Sequence, residues 1–302
     1  MFTLANQPQG LGRNLDNGFR LFFSGLKGAI GIMLIMIGAV VVFGFIAMLV
    51  MGAIMAPMMQ GAQTGDFSGM SAGSLIAGLV TMLLFALVFL YFVNALILKY
   101  ANIGYGEDAG IGNALSGAYS RLFPALGATI LLFLFLGLLY TPAIYFQFAN
   151  TGKLMSGEMG LMTFQGIYWA LMIPYFFFAV TTQFTIYRVV VDRAGPLSGI
   201  IGSHKLVWGN WWRSAFYIVI VYIILFAVLL AVMIPTIGTS AFLGQAGGDT
   251  GPAASAGLIG LLLMFVFFML SMPFFIAMLI PFYNDLKLRK EGGDLEAKMA
   301  AA

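Results

Sequence analysis

The stretch Thr129-Ile-Leu-Leu-Phe-Leu-Phe-Leu-Gly-Leu-Leu139 has neither a charge nor a polar–apolar alternation. A strand of a membrane barrel alternates apolar and polar residues, and this run does not. A backbone passing through hydrocarbon must satisfy its own hydrogen bonds, so an unbroken apolar run of this kind reads as a membrane helix. The uncharged interval around it extends from Arg121 to Lys153. Five more intervals behave alike: Lys27 to Asp66, Asp66 to Lys99, Glu158 to Arg188, Arg213 to Asp249 and Asp249 to Asp285. Each exceeds the ~20 residues needed to cross ~30 Å of hydrocarbon.

The whole chain agrees. Of its 302 residues 61% are hydrophobic and 8% charged, and the mean hydropathy is +0.99. A soluble domain carries about 25% charged residues to cover its surface. A soluble enzyme, a nucleic-acid binder and a disordered chain are all excluded. The fold class expected is an all-α integral membrane protein with six transmembrane helices. Spans are placed at 28–56, 73–98, 124–149, 161–187, 214–236 and 254–283. Together they form a single membrane domain, 1–286, followed by a short tail, 287–302. The first apolar run is far longer than the ~7–15 residues of a signal peptide, so a cleaved leader is not expected.

Basic residues set the orientation. With six crossings, 13 of the 14 Lys and Arg fall on one side and only Lys153 on the other. Both termini are therefore expected in the cytoplasm. The net charge of +3 follows from this topology and does not indicate nucleic acid.

A related segment precedes three of the spans. Leu11, Leu15, Phe19, Phe22 and Leu26 recur at helical spacing, with Arg13, Asp16, Arg20 and Lys27 mostly off that face, as in an amphipathic interfacial helix. Residues 112–124 and 196–212 follow suit, and Leu115-Ser116-Gly117 repeats as Leu197-Ser198-Gly199. The chain reads as three pseudo-repeats of amphipathic helix plus hairpin, related by an axis along the membrane normal.

Chemistry is sparse. There is no cysteine and one histidine, His204, so neither a thiolate nor a His-rich metal site can be built within the chain. No catalytic residue, metal or cofactor is expected, and the chain reads as non-enzymatic. No charge lies in the middle of a span, which argues against a proton- or ion-driven carrier. The candidate intramembrane polar contacts are Asn94, Thr181, Thr182 and Gln183, expected to bond between helices. The candidate headgroup anchors are His204, Lys205, Trp208, Trp211, Trp212 and Arg213. Tryptophan prefers the membrane interface, and neighbouring cations meet anionic phosphate there. Asp192 is the only carboxylate near His204 in sequence.

Two stretches carry a resemblance. Val191–Arg213, with Gly195-Pro196, Ser203, Leu206, Gly209 and Trp211-Trp212, resembles a segment patterned G-P-x-x-A-x-x-x-S-x-x-L-x-x-G-x-W-W. Phe282–Glu296 is similar to a closing Y-Y-D-L-R-x-R-x-E-G-x-D-L-E. Both belong to bacterial six-span inner-membrane proteins related to the membrane domain of glycerophosphodiester phosphodiesterases and, more distantly, to YciC-like proteins. Gly199, Asn284 and Lys287 depart from those patterns. The resemblance implies a bacterial inner-membrane location and a place in the cell envelope, and it brings no catalytic residues. The function expected is a scaffold, partner or regulator of another envelope component. The alternative is a transporter, channel or lipid-handling protein for a neutral or amphiphilic solute. Expected partners are the phospholipid bilayer and another membrane protein, with a homo-oligomer as a second reading and no nucleic acid.

Overall fold

The computed structural model describes residues 2–64, 72–107, 110–245 and 250–301. The described elements are all helices: α1 (Leu11–Thr64), α2 (Ala72–Gly104), α3 (Ile111–Met155), α4 (Leu161–Thr182), α5 (Thr185–Val190), α6 (Pro196–Val207), α7 (Trp211–Gln245) and α8 (Thr250–Ala301). Six segments are long and apolar enough to cross a membrane. Only 11–33% of the most apolar window of each is buried. Val41, Phe45, Met48, Leu79, Phe133 and Leu138 instead point outward, which suits a solvent of hydrocarbon tails. The chain is a multi-pass membrane helical protein.

The connections from α1 to α2 and from α7 to α8, at 65–71 and 246–249, lie outside the described residues. Where the sequence suggested three separate interfacial helices, only the third exists as one. Residues 11–27 run without a break into α1, and residues 112–124 into α3. Pro124 stands at the second junction, and α3 continues through it. Pro124 and Pro142 sit inside α3, and Pro273 and Pro281 inside α8. Neighbouring turns and helices absorb the lost bonds. The tail expected from 287 likewise begins as a continuation of α8.

The α1–α2 hairpin is central. Helix α8 packs on α1 and α2, α3 packs on α2, and α7 and α4 lie outermost, touching each other little. The three hairpins thus meet through unequal interfaces among the described residues. Close approach in the middle comes from glycine: a Cβ on Gly28 would lie 2.5 Å from Lys99 Cε, and one on Gly31 2.6 Å from Ile111 Cδ1. Small residues at such spacing let membrane helices touch.

The packed core sits toward the basic end, among Leu21, Ile32, Leu96, Tyr100, Phe184, Tyr217, Met278 and Phe282. Tyr217 stacks on Phe282 with ring centroids 4.2 Å apart, and its hydroxyl donates to the Met278 carbonyl at 2.6 Å. Tyrosine supplies both apolar area and a donor there.

Candidate functional site

Helix α6 is set apart by its ends. Arg193 takes a positive φ of 58°, Pro196 occupies the first turn, and Gly209 with φ 88° closes the segment. Proline pre-sets φ at a helix start, and glycine reaches left-handed φ without steric cost. One face of α6, with Gly199, Ser203, Leu206 and Val207, is buried; Leu197, Ile201 and Lys205 on the opposite stripe are exposed, as is Trp208 just past the helix. A Cβ on Gly199 would stand 2.6 Å from Val189 Cγ2, so α6 and α5 lie in direct contact.

Ser203 explains why the fourth span breaks between α4 and α5. Its hydroxyl donates to the Thr181 carbonyl at 2.8 Å and accepts the Phe184 N–H at 3.1 Å. An inserted side chain of this kind interrupts the i to i−4 ladder while keeping its groups satisfied. The sequence predicts this span unbroken over 161–187. The serine that splits it comes from α6, about 20 residues further along the chain.

The six expected anchors divide into two groups. His204 is half-buried, its ring 5.9 Å from Phe178 and 5.1 Å from Trp208. Its Nδ1 is buried and bonds to no described atom. Lys205, Trp208 and Trp212 are exposed. Trp211 turns inward: its indole N–H donates to the Phe177 carbonyl at 3.1 Å while its ring stacks on Phe177. Arg213 also turns inward, to Asp285 at 2.9 Å and the Gln9 carbonyl at 2.5 Å. These two residues hold the fold together instead of facing phosphates.

Arg213 belongs to a brace that sequence reading missed. Asp285, 2% exposed, accepts from Arg213, from Arg289 Nε at 3.0 Å and from the Gln9 backbone N–H at 2.6 Å. Arg289 also donates to the Gln9 carbonyl at 2.7 Å, and Asn284 to the Ala5 carbonyl at 2.8 Å. Asp192 forms a second node. It accepts from the Tyr283 hydroxyl and from Lys287 at 2.9 Å, with Arg188 at 3.8 Å. The N-terminal strap, the chain after α5, the start of α7 and residues 283–289 of α8 are thus joined at one end. A buried carboxylate is tolerated when paired and hydrogen-bonded in this way. Asp192 is committed to this node and makes no bond to His204.

The intramembrane polar residues differ from expectation. Thr181 and Thr182 both donate to the Phe178 carbonyl of their own helix, at 3.0 and 2.7 Å. A hydroxyl in a helix reaches back one turn more easily than across to a neighbour. Gln183 caps α4, its backbone N–H reaching the Val180 carbonyl at 3.4 Å. Asn94 is fully buried, with neither carboxamide atom bonded to a described residue. Bonds between helices come from other residues, such as the Tyr140 and Tyr168 hydroxyls 3.1 Å apart.

Residues 26–286 match the family described as a domain of unknown function, DUF7847, and the chain belongs to that family. No curated protein and no solved structure matches it.

Proposed function

We propose that this member of the family is a non-enzymatic scaffold of the bacterial inner membrane, a partner or regulator of another envelope component. The braced basic end carries the reading. Its buried charges bind one another and the N-terminal strap, which suits a rigid platform more than a gate. The basic residues concentrated there favour a cytoplasmic orientation, with both termini inside. Exposed Trp212 and Phe216 leave an aromatic surface beside the platform, and aromatic residues are enriched where proteins meet.

A photo-crosslinking side chain at Trp212, in cells, tests this. One discrete adduct with a second protein is expected from position 212 and none from Lys153 at the opposite end. Adducts with lipid alone, together with a lone monomer after purification in mild detergent, would refute the scaffold.

A second reading, lipid handling, is favoured by one observation. A cavity of about 320 Å³ between α1, α7 and α8 is lined by Phe19, Phe22, Leu225, Val228, Phe267 and their neighbours. Such a wall fits an acyl chain. Filling it with Val228→Trp would leave a pure scaffold unaffected but would abolish lipid transfer between vesicles.

A further inference from the structure

At the basic end a cavity of about 300 Å³ lies between α6 and the continuation of α8, lined by His204, Lys205, Trp208 and Lys290. We propose that it binds the phosphate of an anionic phospholipid headgroup. The inference stands apart from the scaffold reading.

Two lysines from distant parts of the chain line one small cavity, and an anion held between them would be attracted by both. Neither Lys205 nor Lys290 makes an ion pair with a described residue, whereas Arg188, Arg213, Lys287 and Arg289 each meet Asp192 or Asp285. The brace takes up those four cations and both carboxylates, leaving this lysine pair for something from outside. His204 stands beside the lysines, held between the Phe178 and Trp208 rings. Its buried Nδ1 has no partner among the described residues. The rest of the wall is mostly ring and methylene carbon, which suits the esterified end of a headgroup.

The lipid, as opposed to a soluble phosphate, follows from the exposed stripe of α6. Leu197, Ile201 and Lys205 recur at helical spacing on one face, and exposed Trp208 follows just past the helix. The apolar pair leads away from the lysine in the order of an amphiphile: chain first, then phosphate. Trp208, 59% exposed, stands at the rim, as tryptophan does at headgroup depth. Lys290 completes the cavity; its neighbours in sequence gave no sign of it.

The test uses the full chain in nanodiscs of phosphatidylcholine containing a minor fraction of phosphatidylglycerol. Retained lipids are counted by native mass spectrometry after release into detergent. The wild type should retain phosphatidylglycerol in preference to phosphatidylcholine. Lys205→Gln with Lys290→Gln should lower that preference by about twenty-five-fold, since each lysine near an anionic surface is worth about fivefold. The corresponding pair of arginine substitutions should keep it. Unchanged preference in the glutamine variant overturns the site. So does an equal loss in Arg13→Gln with Lys27→Gln, because both of those exposed cations lie elsewhere at the same end and report general attraction. If millimolar inorganic phosphate displaces the retained lipid from the wild type, the cavity is a soluble-anion site and the lipid assignment fails.

Discussion

Asp285→Ala is the most direct challenge to the braced end. The carboxylate is 2% exposed and receives three donors: Arg213 at 2.9 Å, Arg289 at 3.0 Å and the Gln9 N–H at 2.6 Å. Removing it strands two guanidinium groups side by side and orphans a backbone donor. Breaking a buried ion pair from one side costs about 3–5 kcal/mol. Both arginines keep a bond to the Gln9 carbonyl and are 24% and 31% exposed, so water relieves part of the repulsion. The low end, about 3 kcal/mol, is expected. Asp285→Asn retains an acceptor and most of the volume, and should lose about half as much, since a hydrogen bond to a charged group is worth about 1.5–3 kcal/mol. Equilibrium unfolding by sodium dodecyl sulfate from mixed micelles, followed by tryptophan fluorescence, measures both. Asp16→Ala is the control. Its Arg20 partner lies 2.9 Å away with the side chains 69% and 59% exposed, so the change should fall within about 0.5 kcal/mol. If Asp285→Ala unfolds like the wild type, the brace does not stabilise the fold and the platform argument fails with it.

Ser203→Ala should cost about 2–3 kcal/mol in the same assay, because it orphans the buried Phe184 N–H and the Thr181 carbonyl together. Faster amide exchange at Phe184 should accompany it, and unchanged exchange would mean the break needs no serine. Asn94→Leu should be neutral or stabilising by up to about 1 kcal/mol, since the carboxamide is buried without a bonded partner. A loss above about 2 kcal/mol would reveal a partner, ordered water included. Spin labels along 197–208 should show high accessibility at 197, 201, 205 and 208 and low accessibility at 199, 203 and 206. Uniform exposure to water-soluble quencher would make the segment an ordinary loop.

The sequence by itself determined that this is a membrane protein, that it has six apolar crossings, and where the basic residues cluster. Those properties are local. A bilayer demands about twenty uncharged residues per crossing wherever they occur, so spacing between charges such as Arg121 and Lys153 is enough to find a span. The sequence likens 196–212 to 11–27 and 112–124, and only the structure separates it from them, as a helix opened by Pro196 and followed by Gly209 at positive φ. What only the tertiary structure decided is which polar groups meet. Asp285 finds Arg213 and the Gln9 backbone, Asp192 finds Tyr283 and Lys287, Ser203 enters the ladder of another helix, and Lys290 comes to stand beside Lys205. None of these pairs shares a helical face or a short sequence interval. For the same reason Trp211 and Arg213, which the sequence places among the headgroup anchors, turn inward. Their neighbours in sequence favour the interface, but a carbonyl of α4 and a carboxylate of α8 lie within reach, and a buried polar group with a good partner outcompetes a solvated one only where packing has already brought that partner there.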